Sequence, residues 1–209
     1  NHPWAATYFD DQVSPAEGTS SEEFYQIYHK FGYDQAVSRA SDSLSYVYRL
    51  DEKYWLMMLD SCMCEPVHET GGKLSEETVA WMKMQLEEAK KQGVTVIPVS
   101  HHNLLDESTL YPEECTIENT KEVTALLEAY GVPVYLSGHL HLQRIKKHTS
   151  NLNTPGGYGI REIVTSPLPM APCQYSILKW QADGSLSYHT KKVDIAGWAR
   201  GRRRESSQF

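Results

Sequence analysis

Cysteine is scarce in this 209-residue chain, which contains four of them. Cys62 and Cys64 are separated by a single residue, a spacing too short for a zinc-knuckle pair, and no CxxC pair elsewhere completes such a site. The sequence therefore argues against a structural metal bound by thiolates alone.

Excess positive charge and long apolar runs are also lacking. The net charge of -7 argues against a nucleic-acid polymer as partner, because such binding depends on neutralising phosphates. No stretch approaches the length and apolarity of a membrane-spanning helix. The one basic run, RGRRR at 200–204, lies close to the end, and we expect 199–209 to be a solvated basic tail or the start of a further helix rather than a binding arm.

The remaining composition is that of an ordinary globular protein, with 40% hydrophobic and 22% charged residues. Apolar segments at 54–60, 94–100 and 132–137 have the length and the nearly continuous apolar character of buried strands. Helical patterns fill the intervals near 75–92 and 119–130, each followed by glycine. This alternation predicts a single α/β domain over 1–198, with a mixed or parallel sheet and helices packed over it.

Two hairpins are also predicted. Segments 44–50 and 54–60 flank the polar trio Asp51-Glu52-Lys53, and Ala182-Asp183-Gly184 joins two alternating strands in the last third of the chain. We therefore expect antiparallel strands on both sides of the alternating region.

Polar groups follow each of the three buried strands. The first strand ends in LDS at 59–61, the second in SHH at 100–102, and the third in SGHLH at 137–141. Ligands collect outside the carboxyl ends of strands in open α/β sheets. His139 and His141 are two residues apart, so an extended backbone would direct both imidazoles to one point. Neutral imidazoles are ligands for zinc, iron or manganese, so the pattern predicts a metal site.

These motifs resemble those of the calcineurin-like metallophosphoesterases. GHLH at 138–141 matches the family's Gly-His-x-His signature, SHHNLLDES at 100–108 matches its preceding strand end, and Asn1-His2 is similar to the tail of its Gly-Asn-His motif. The likeness covers most of the chain and is greatest to the bacterial cyclic-nucleotide phosphodiesterase branch. It implies a layered β-sandwich core flanked by helices.

The resemblance also implies a metal-dependent phosphodiesterase that uses two divalent ions (Mn, Fe or Zn) and a bridging hydroxide. By this likeness Asn1, His101 and His139 would bind one metal and His141 the other. His2 would stabilise the leaving group and protonate it as the catalytic acid. The expected partner is a small phosphodiester, such as a nucleotide or cyclic nucleotide.

Other polar residues near the strand ends are expected to have supporting roles. His102 and Tyr111 are candidates for substrate binding. We expect Asp60 to order its own loop rather than bind metal, and Asp106 and Glu107 to cap a turn.

The chain departs from the family pattern in two ways. Asn103 occupies a position where the family usually has proline. The family's Asp-x-His and Gly-Asp motifs, which supply its carboxylate ligands, precede Gly-Asn-His, and this chain begins after them. We therefore expect the N-terminal part of the fold to be missing and this chain alone to bind one ion or none and to be inactive. Dimerisation or complementation by the missing segment would restore the fold.

The segment 19–48 is rich in tyrosine and is a possible cap over the metal cleft. Its rings would stack on a nucleobase, or, in the alternative reading, pack against the sheet with their hydroxyls at the surface. Two other functions stay open at this point. One is a non-catalytic binding scaffold with the same fold, and the other is a mononuclear zinc hydrolase built on His101, His139 and His141.

Overall fold

The computed structural model shows a mixed α/β fold with one large central sheet flanked by helices. It describes residues 6–9, 12–15, 18–63, 69–107, 112–148, 159–181, 183–198 and 200. Within these residues no helix combines the length and the apolarity needed to cross a membrane.

The central sheet has seven strands in the order β3-β4-β5-β6-β7-β9-β8. In chain order these strands are β3 (Ala36–Arg39), β4 (Tyr46–Arg49), β5 (Tyr54–Met58), β6 (Thr95–Val99), β7 (Val134–Ser137), β8 (Arg144–Lys147) and β9 (Arg161–Val164). The three buried strands predicted from the sequence are β5, β6 and β7, which are adjacent. Their carboxyl ends therefore lie at one edge of the sheet.

Strand directions follow the predicted pattern. Strands β5, β6, β7 and β9 run parallel, whereas β3, β4 and β8 pair antiparallel at the two sides of the sheet. The β4–β5 hairpin is confirmed, and its turn is stabilised by the Asp51 carboxylate, which accepts hydrogen bonds from the backbone amides of Lys53 (2.7 Å) and Tyr54 (2.8 Å). Two smaller antiparallel pairs are formed by β1 (Ala6–Phe9) with β2 (Gln12–Pro15), and by β10 (Gln174–Trp180) with β11 (Leu186–Lys192).

Four helices connect the strands. They are α1 (Ser21–Tyr28), α2 (Glu76–Gln92), α3 (Pro112–Cys115) and α4 (Thr120–Ala129), with short 3₁₀ turns at His29–Phe31 and Tyr33–Gln35. The longest, α2, begins after Ser75, whose side chain accepts from the amide of Thr78, and ends at Gly93 in the left-handed conformation. Both signals are those expected of helix boundaries. The helices predicted near 75–92 and 119–130 are confirmed as α2 and α4.

The sheet has two differently covered faces. On one face α2 and α4 bury Met82, Leu86 and Leu127 against the sheet residues Met57 and Tyr135. On the opposite face the β10–β11 pair packs over a second cluster made of Ile97, Val134 and Ile163, with Leu178, Trp180, Leu186 and Tyr188 from the ribbon. The predicted layering is thus present in a reduced form, because in the described residues the second β layer is a two-stranded ribbon.

Pro98 interrupts the ladder between the two central strands. The amides of Thr95 and Ser100 donate to Lys53 and Leu136, which lie on opposite sides of β6. Alternate residues of a strand face opposite neighbours, so Pro98 faces β7 like Ser100, and it has no N–H to donate. The β6–β7 register accordingly contains only the pair Val99–Leu136. The centre of the sheet is therefore its most weakly bonded seam.

Candidate metal centre

Two histidine-bearing loops meet at the carboxyl edge of the sheet. His101 and His102 follow β6, and His139 follows β7. The three side chains each offer a nitrogen within 4.8 Å of the others, so they form a cluster capable of holding a metal ion. Parallel pairing of β6 with β7 explains this convergence, because it places both strand ends side by side.

His101 and His139 have the geometry of a ligand pair. Nε2 of His101 lies 3.0 Å from Nδ1 of His139, and the two rings are nearly perpendicular, with an interplanar angle of 82°. Nitrogen ligands on bonds of ~2.0–2.1 Å to one ion are separated by roughly 3 Å or slightly more. The pair therefore fits a single transition-metal ion with little movement.

The loop after β7 has a strained backbone. His139 and His141 have φ angles of 62° and 54°, in the left-handed region. Such a conformation costs roughly 1–3 kcal/mol for a residue with a side chain and is concentrated at functional sites. The extended backbone that we assumed for these two residues is therefore wrong, because β7 ends at Ser137 and a tight turn follows.

His141 does not join the histidine cluster. It is exposed, and the group of described residues that could hold one ion contains His101, His102 and His139 instead. Asn1, His2 and Tyr111 lie outside the described residues. Their predicted roles, and that of His141 at another metal, stay predictions.

His102 is part of the cluster but faces the protein interior. Its side chain is fully buried, its Nδ1 lies 2.9 Å from Oγ of Ser61, and its Nε2 lies 3.0 Å from the carbonyl oxygen of Thr70. A carbonyl oxygen only accepts, so Nε2 carries the proton and Nδ1 of the neutral ring accepts from Ser61. With both nitrogens in hydrogen bonds, His102 supports the cluster from behind, and its predicted role in substrate binding stays a prediction.

The electrostatics favour neutral imidazoles. Burial lowers the pKa of His101 to about 4, with further lowering from the neighbouring His102 and His139. Burial also lowers the pKa of His139, while a hydrogen bond to the main chain of Glu114 acts in the opposite direction. A neutral imidazole has a free lone pair, which is the form that binds metals.

The acidic residues near the strand ends do not join the histidine cluster. Asp60 orders its loop as expected, since its carboxylate accepts from the amides of Cys62 (3.2 Å) and Leu44 (3.3 Å). Asp106 is exposed. Glu107 is buried beside Arg144, with 3.1 Å between Oε2 and Nε, so its predicted turn-capping role is replaced by an ion pair.

A cleft of about 1410 Å³ opens beside His101. Its opposite wall comes from the predicted cap segment and includes Tyr25, Tyr33, Arg39 and Tyr46. The Arg39 guanidinium lies over the Tyr25 ring, with 4.3 Å to its centroid, and the rings of Tyr33 and Tyr46 are 4.7 Å apart. Burial raises the pKa of Tyr33 to about 12, so its hydroxyl stays protonated.

Sequence reasoning missed the buried residues that hold the two histidine loops together. Asn103, Ser137 and Glu162 form a hydrogen-bonded chain behind the histidines. The sequence contained one signal of this network, the acidic residue Glu162 within strand β9. An ionisable group is rarely fully buried without specific partners, so an acidic residue in a buried strand indicates a polar network around it.

Comparisons with known proteins give a likeness to solved structures. No family model matches the chain, and no curated protein matches it. The chain is similar to the crystal structure of a dimetal phosphatase from Danio rerio, with a TM-score of 0.48 and 14% sequence identity over 62% of this chain and 51% of that one. The chain thus spans about half the length of that phosphatase.

Proposed function

We propose that this chain carries part of the active site of a metal-dependent phosphoester hydrolase. The observation that carries the proposal is the 3.0 Å approach of His101 Nε2 to His139 Nδ1 at the carboxyl ends of adjacent parallel strands. The strained backbone of His139 and the adjoining cleft add support. The strand-end His-His and Gly-His-x-His motifs, in this order along the chain, favour phosphoester chemistry over other metal reactions.

The protein residues of the site have distinct tasks. His101 and His139 would hold the ion, which when bound would polarise a phosphoryl oxygen and acidify a water molecule. His102 supports the cluster from behind through Ser61 and Thr70. The cleft wall opposite His101 would hold the remainder of the substrate.

The ligand set in the described residues is incomplete for two ions. No carboxylate of the described residues belongs to the histidine cluster. Two cations a few ångströms apart repel one another unless anionic ligands compensate. We therefore propose that the described residues hold at most one ion, and that the binuclear centre implied by the sequence motifs needs further ligands.

The substrate that we propose is a phosphodiester with an aromatic group, such as a nucleotide or cyclic nucleotide. Support comes from the aromatic wall of Tyr25, Tyr33 and Tyr46, whose rings line the cleft that also includes His101. The alternative, in which the tyrosines pack against the sheet with their hydroxyls at the surface, is supported by the contact of Tyr33 with Tyr46 of strand β4. A measurement of nucleotide affinity therefore distinguishes stacking on a substrate from packing within the protein.

Two other functions are less well supported. A mononuclear site on His101, His139 and His141 lacks its third member, because His141 is not in the cluster found among the described residues. A non-catalytic scaffold would have no use for two ligand nitrogens 3.0 Å apart beside a strained backbone.

The test is metal binding followed by turnover. Titration with Co²⁺ should produce ligand-field absorption bands in the wild-type chain, and the bands should disappear in His101→Ala and His139→Ala. His189→Ala is the matched control, because His189 is exposed on β11, away from the histidine cluster, and it should bind normally. If the wild type shows no Co²⁺ bands, the proposed metal centre is wrong.

Turnover distinguishes the substrate classes. With Mn²⁺ and any missing ligand segment supplied as a separate chain, hydrolysis of bis-p-nitrophenyl phosphate is expected to exceed that of the monoester. Activity confined to the monoester would instead indicate a phosphatase. Normal turnover and two bound metals in this chain by itself would contradict the single-ion proposal.

A further inference from the structure

A buried polar network joins the two loops that carry the metal-binding histidines. Glu162 lies on β9 and is fully buried. It contacts the loop after β6 through Leu104 and Leu105 and the end of β7 through Ser137. We call Asn103, Ser137 and Glu162 the loop clamp.

The Glu162 carboxylate accepts three hydrogen bonds. The amides of Leu104 and Leu105 each donate over 2.7 Å, to Oε1 and Oε2 respectively, and the Ser137 hydroxyl donates to Oε1 over 2.6 Å. One carboxylate therefore binds residues two and three positions after His102 on one loop and a residue two positions before His139 on the other.

Asn103 completes the connection. Its side-chain amide donates to Oγ of Ser137 (2.9 Å) and to the carbonyl oxygen of Gly138 (3.2 Å), so it directly joins the residue after His102 to the residue before His139. This is the position where the resembling family usually has proline, which could form neither contact. Asn103 therefore joins the two loops in a way that a proline at this position could not.

The loop clamp lies where the hydrogen bonds of the sheet contribute least to joining the two loops. The β6–β7 ladder is interrupted at Pro98, and beyond it the main chain contributes the bonds from the Ser100 amide to the Leu136 carbonyl (3.1 Å) and from the Gly138 amide to the His101 carbonyl (3.1 Å). The turn after Ser137 is also strained at His139. A strained turn beside a weak ladder keeps its geometry only if other contacts fix it.

We propose that Glu162 is a positioning residue that, through Ser137 and Asn103, sets the separation of His101 and His139 for metal binding. This inference rests on the proposed metal centre. Groups that orient metal ligands without touching the ion commonly change metal affinity by about 10–100-fold.

The decisive variant is Glu162→Gln, which preserves size and removes one acceptor. If Oε1 of the glutamine still accepts hydrogen bonds from Leu104 and Ser137, its NH₂ group faces the amide of Leu105. Both of these groups are donors, so the hydrogen bond from Leu105 is lost. We expect Co²⁺ affinity to fall at least tenfold and the ligand-field bands to shift. Ser137→Ala removes one clamp bond and should cause a smaller loss, so it serves if Glu162→Gln does not fold.

Thr124→Val is the matched control. Thr124 is a buried polar residue on α4, outside the clamp, and its hydroxyl has no hydrogen-bond partner among the described residues. All proteins are titrated at a temperature where circular dichroism shows them fully folded. If Glu162→Gln lowers the melting temperature but leaves Co²⁺ affinity and the band positions unchanged, Glu162 is merely structural and the proposal is wrong.

Hydrogen exchange separates failure of this inference from failure of the metal centre. Glu162→Gln should accelerate amide exchange in 100–105 and 136–141 together, with or without metal, and Thr124→Val should not. If the wild type binds no Co²⁺, the proposed metal centre is wrong. If, in addition, amide exchange in both loops is the same in Glu162→Gln as in the wild type, the loop clamp is wrong as well. Accelerated exchange in only one loop would likewise contradict it.

Discussion

Gly72 lies directly against the imidazole of His102, and a Cβ atom added to Gly72 would be 2.3 Å from Cγ of that ring. The contact fixes the ring whose nitrogens bind Ser61 and Thr70. The absence of a side chain at position 72 is thus a requirement of the histidine cluster.

Substitution of Gly72 by alanine should therefore displace His102. We expect Gly72→Ala to destabilise the fold by about 1–3 kcal/mol, as overpacking of a buried site does, measured by urea denaturation. It should also weaken Co²⁺ binding. Gly71→Ala is the control, because its Cβ would meet only the flexible end of Met63, at 3.3 Å. Equal effects of the two substitutions would argue against a specific role for the Gly72–His102 contact.

The contribution of Glu162 to stability is expected to fall as pH rises through neutrality. Burial raises the pKa of Glu162 from 4.5 to about 7, and the nearby Glu107 raises it further, against three hydrogen bonds that lower it. At this residue the folded chain therefore binds more protons than the unfolded chain. The stabilisation is full below the unfolded pKa and is lost as pH rises through about 7. The lowered pKa values of His101, His102 and His139 act in the opposite direction, so the effect of Glu162 must be read from a variant.

The measurement is the free energy of unfolding in urea at several pH values. Between pH ~5 and ~8 we expect the contribution of Glu162 to decrease on the order of 2–3 kcal/mol. Glu162→Gln cannot ionise, so the difference between the wild type and this variant should fall by that amount over the interval. A difference that does not change with pH would refute the assignment.

Helix α2 is anchored to the cleft through its N-cap. Ser75 accepts from the amide of Thr78 over 3.0 Å and donates to the carboxylate of Asp42, which lines the cleft. Ser75→Ala should destabilise the fold by about 1–2 kcal/mol, since the cap and a charged acceptor lose their partner. Ser75→Thr keeps the hydroxyl and should remain within about 0.5 kcal/mol of the wild type. Thermal denaturation of both variants checks this.

The aromatic wall should contribute to nucleotide affinity. Stacking of a base on an aromatic side chain contributes ~1–3 kcal/mol, so Tyr33→Leu is expected to weaken binding of a nucleoside monophosphate about tenfold in isothermal titration calorimetry with Mn²⁺ present. Tyr33→Phe should bind nearly as the wild type. Tyr175→Leu, an exposed residue on β10, provides the control. Unchanged affinity in Tyr33→Leu would favour the reading in which these tyrosines only pack together.

Much of the framework followed from local patterns. The three central strands, the β4–β5 hairpin and helix α2 were predictable because apolar periodicity, turn residues and caps all lie close together in sequence. The pairing of His101 with His139 followed from the rule that parallel strands present their carboxyl ends at one edge.

Other features depended on contacts between distant residues. The sequence could not show that His102 rather than His141 approaches the cluster, because that depends on left-handed turns at 139 and 141. Nor could it show Glu162 accepting from Leu104, which lies 58 positions away. Buried polar networks of this kind are fixed by the whole packed core and leave only a weak local signal.

The missing N–H of Pro98 has a consequence for how the protein opens. A seam with few ladder bonds divides the sheet into one half containing β3 to β6 and another containing β7 to β9, and local opening follows such boundaries. His101 belongs to the first half and His139 to the second. An ion held by both would fasten the two halves together at the carboxyl end of the seam, and its release would let them part before either half unfolds. In this protein, metal binding would therefore raise the free energy needed to open the sheet along this seam.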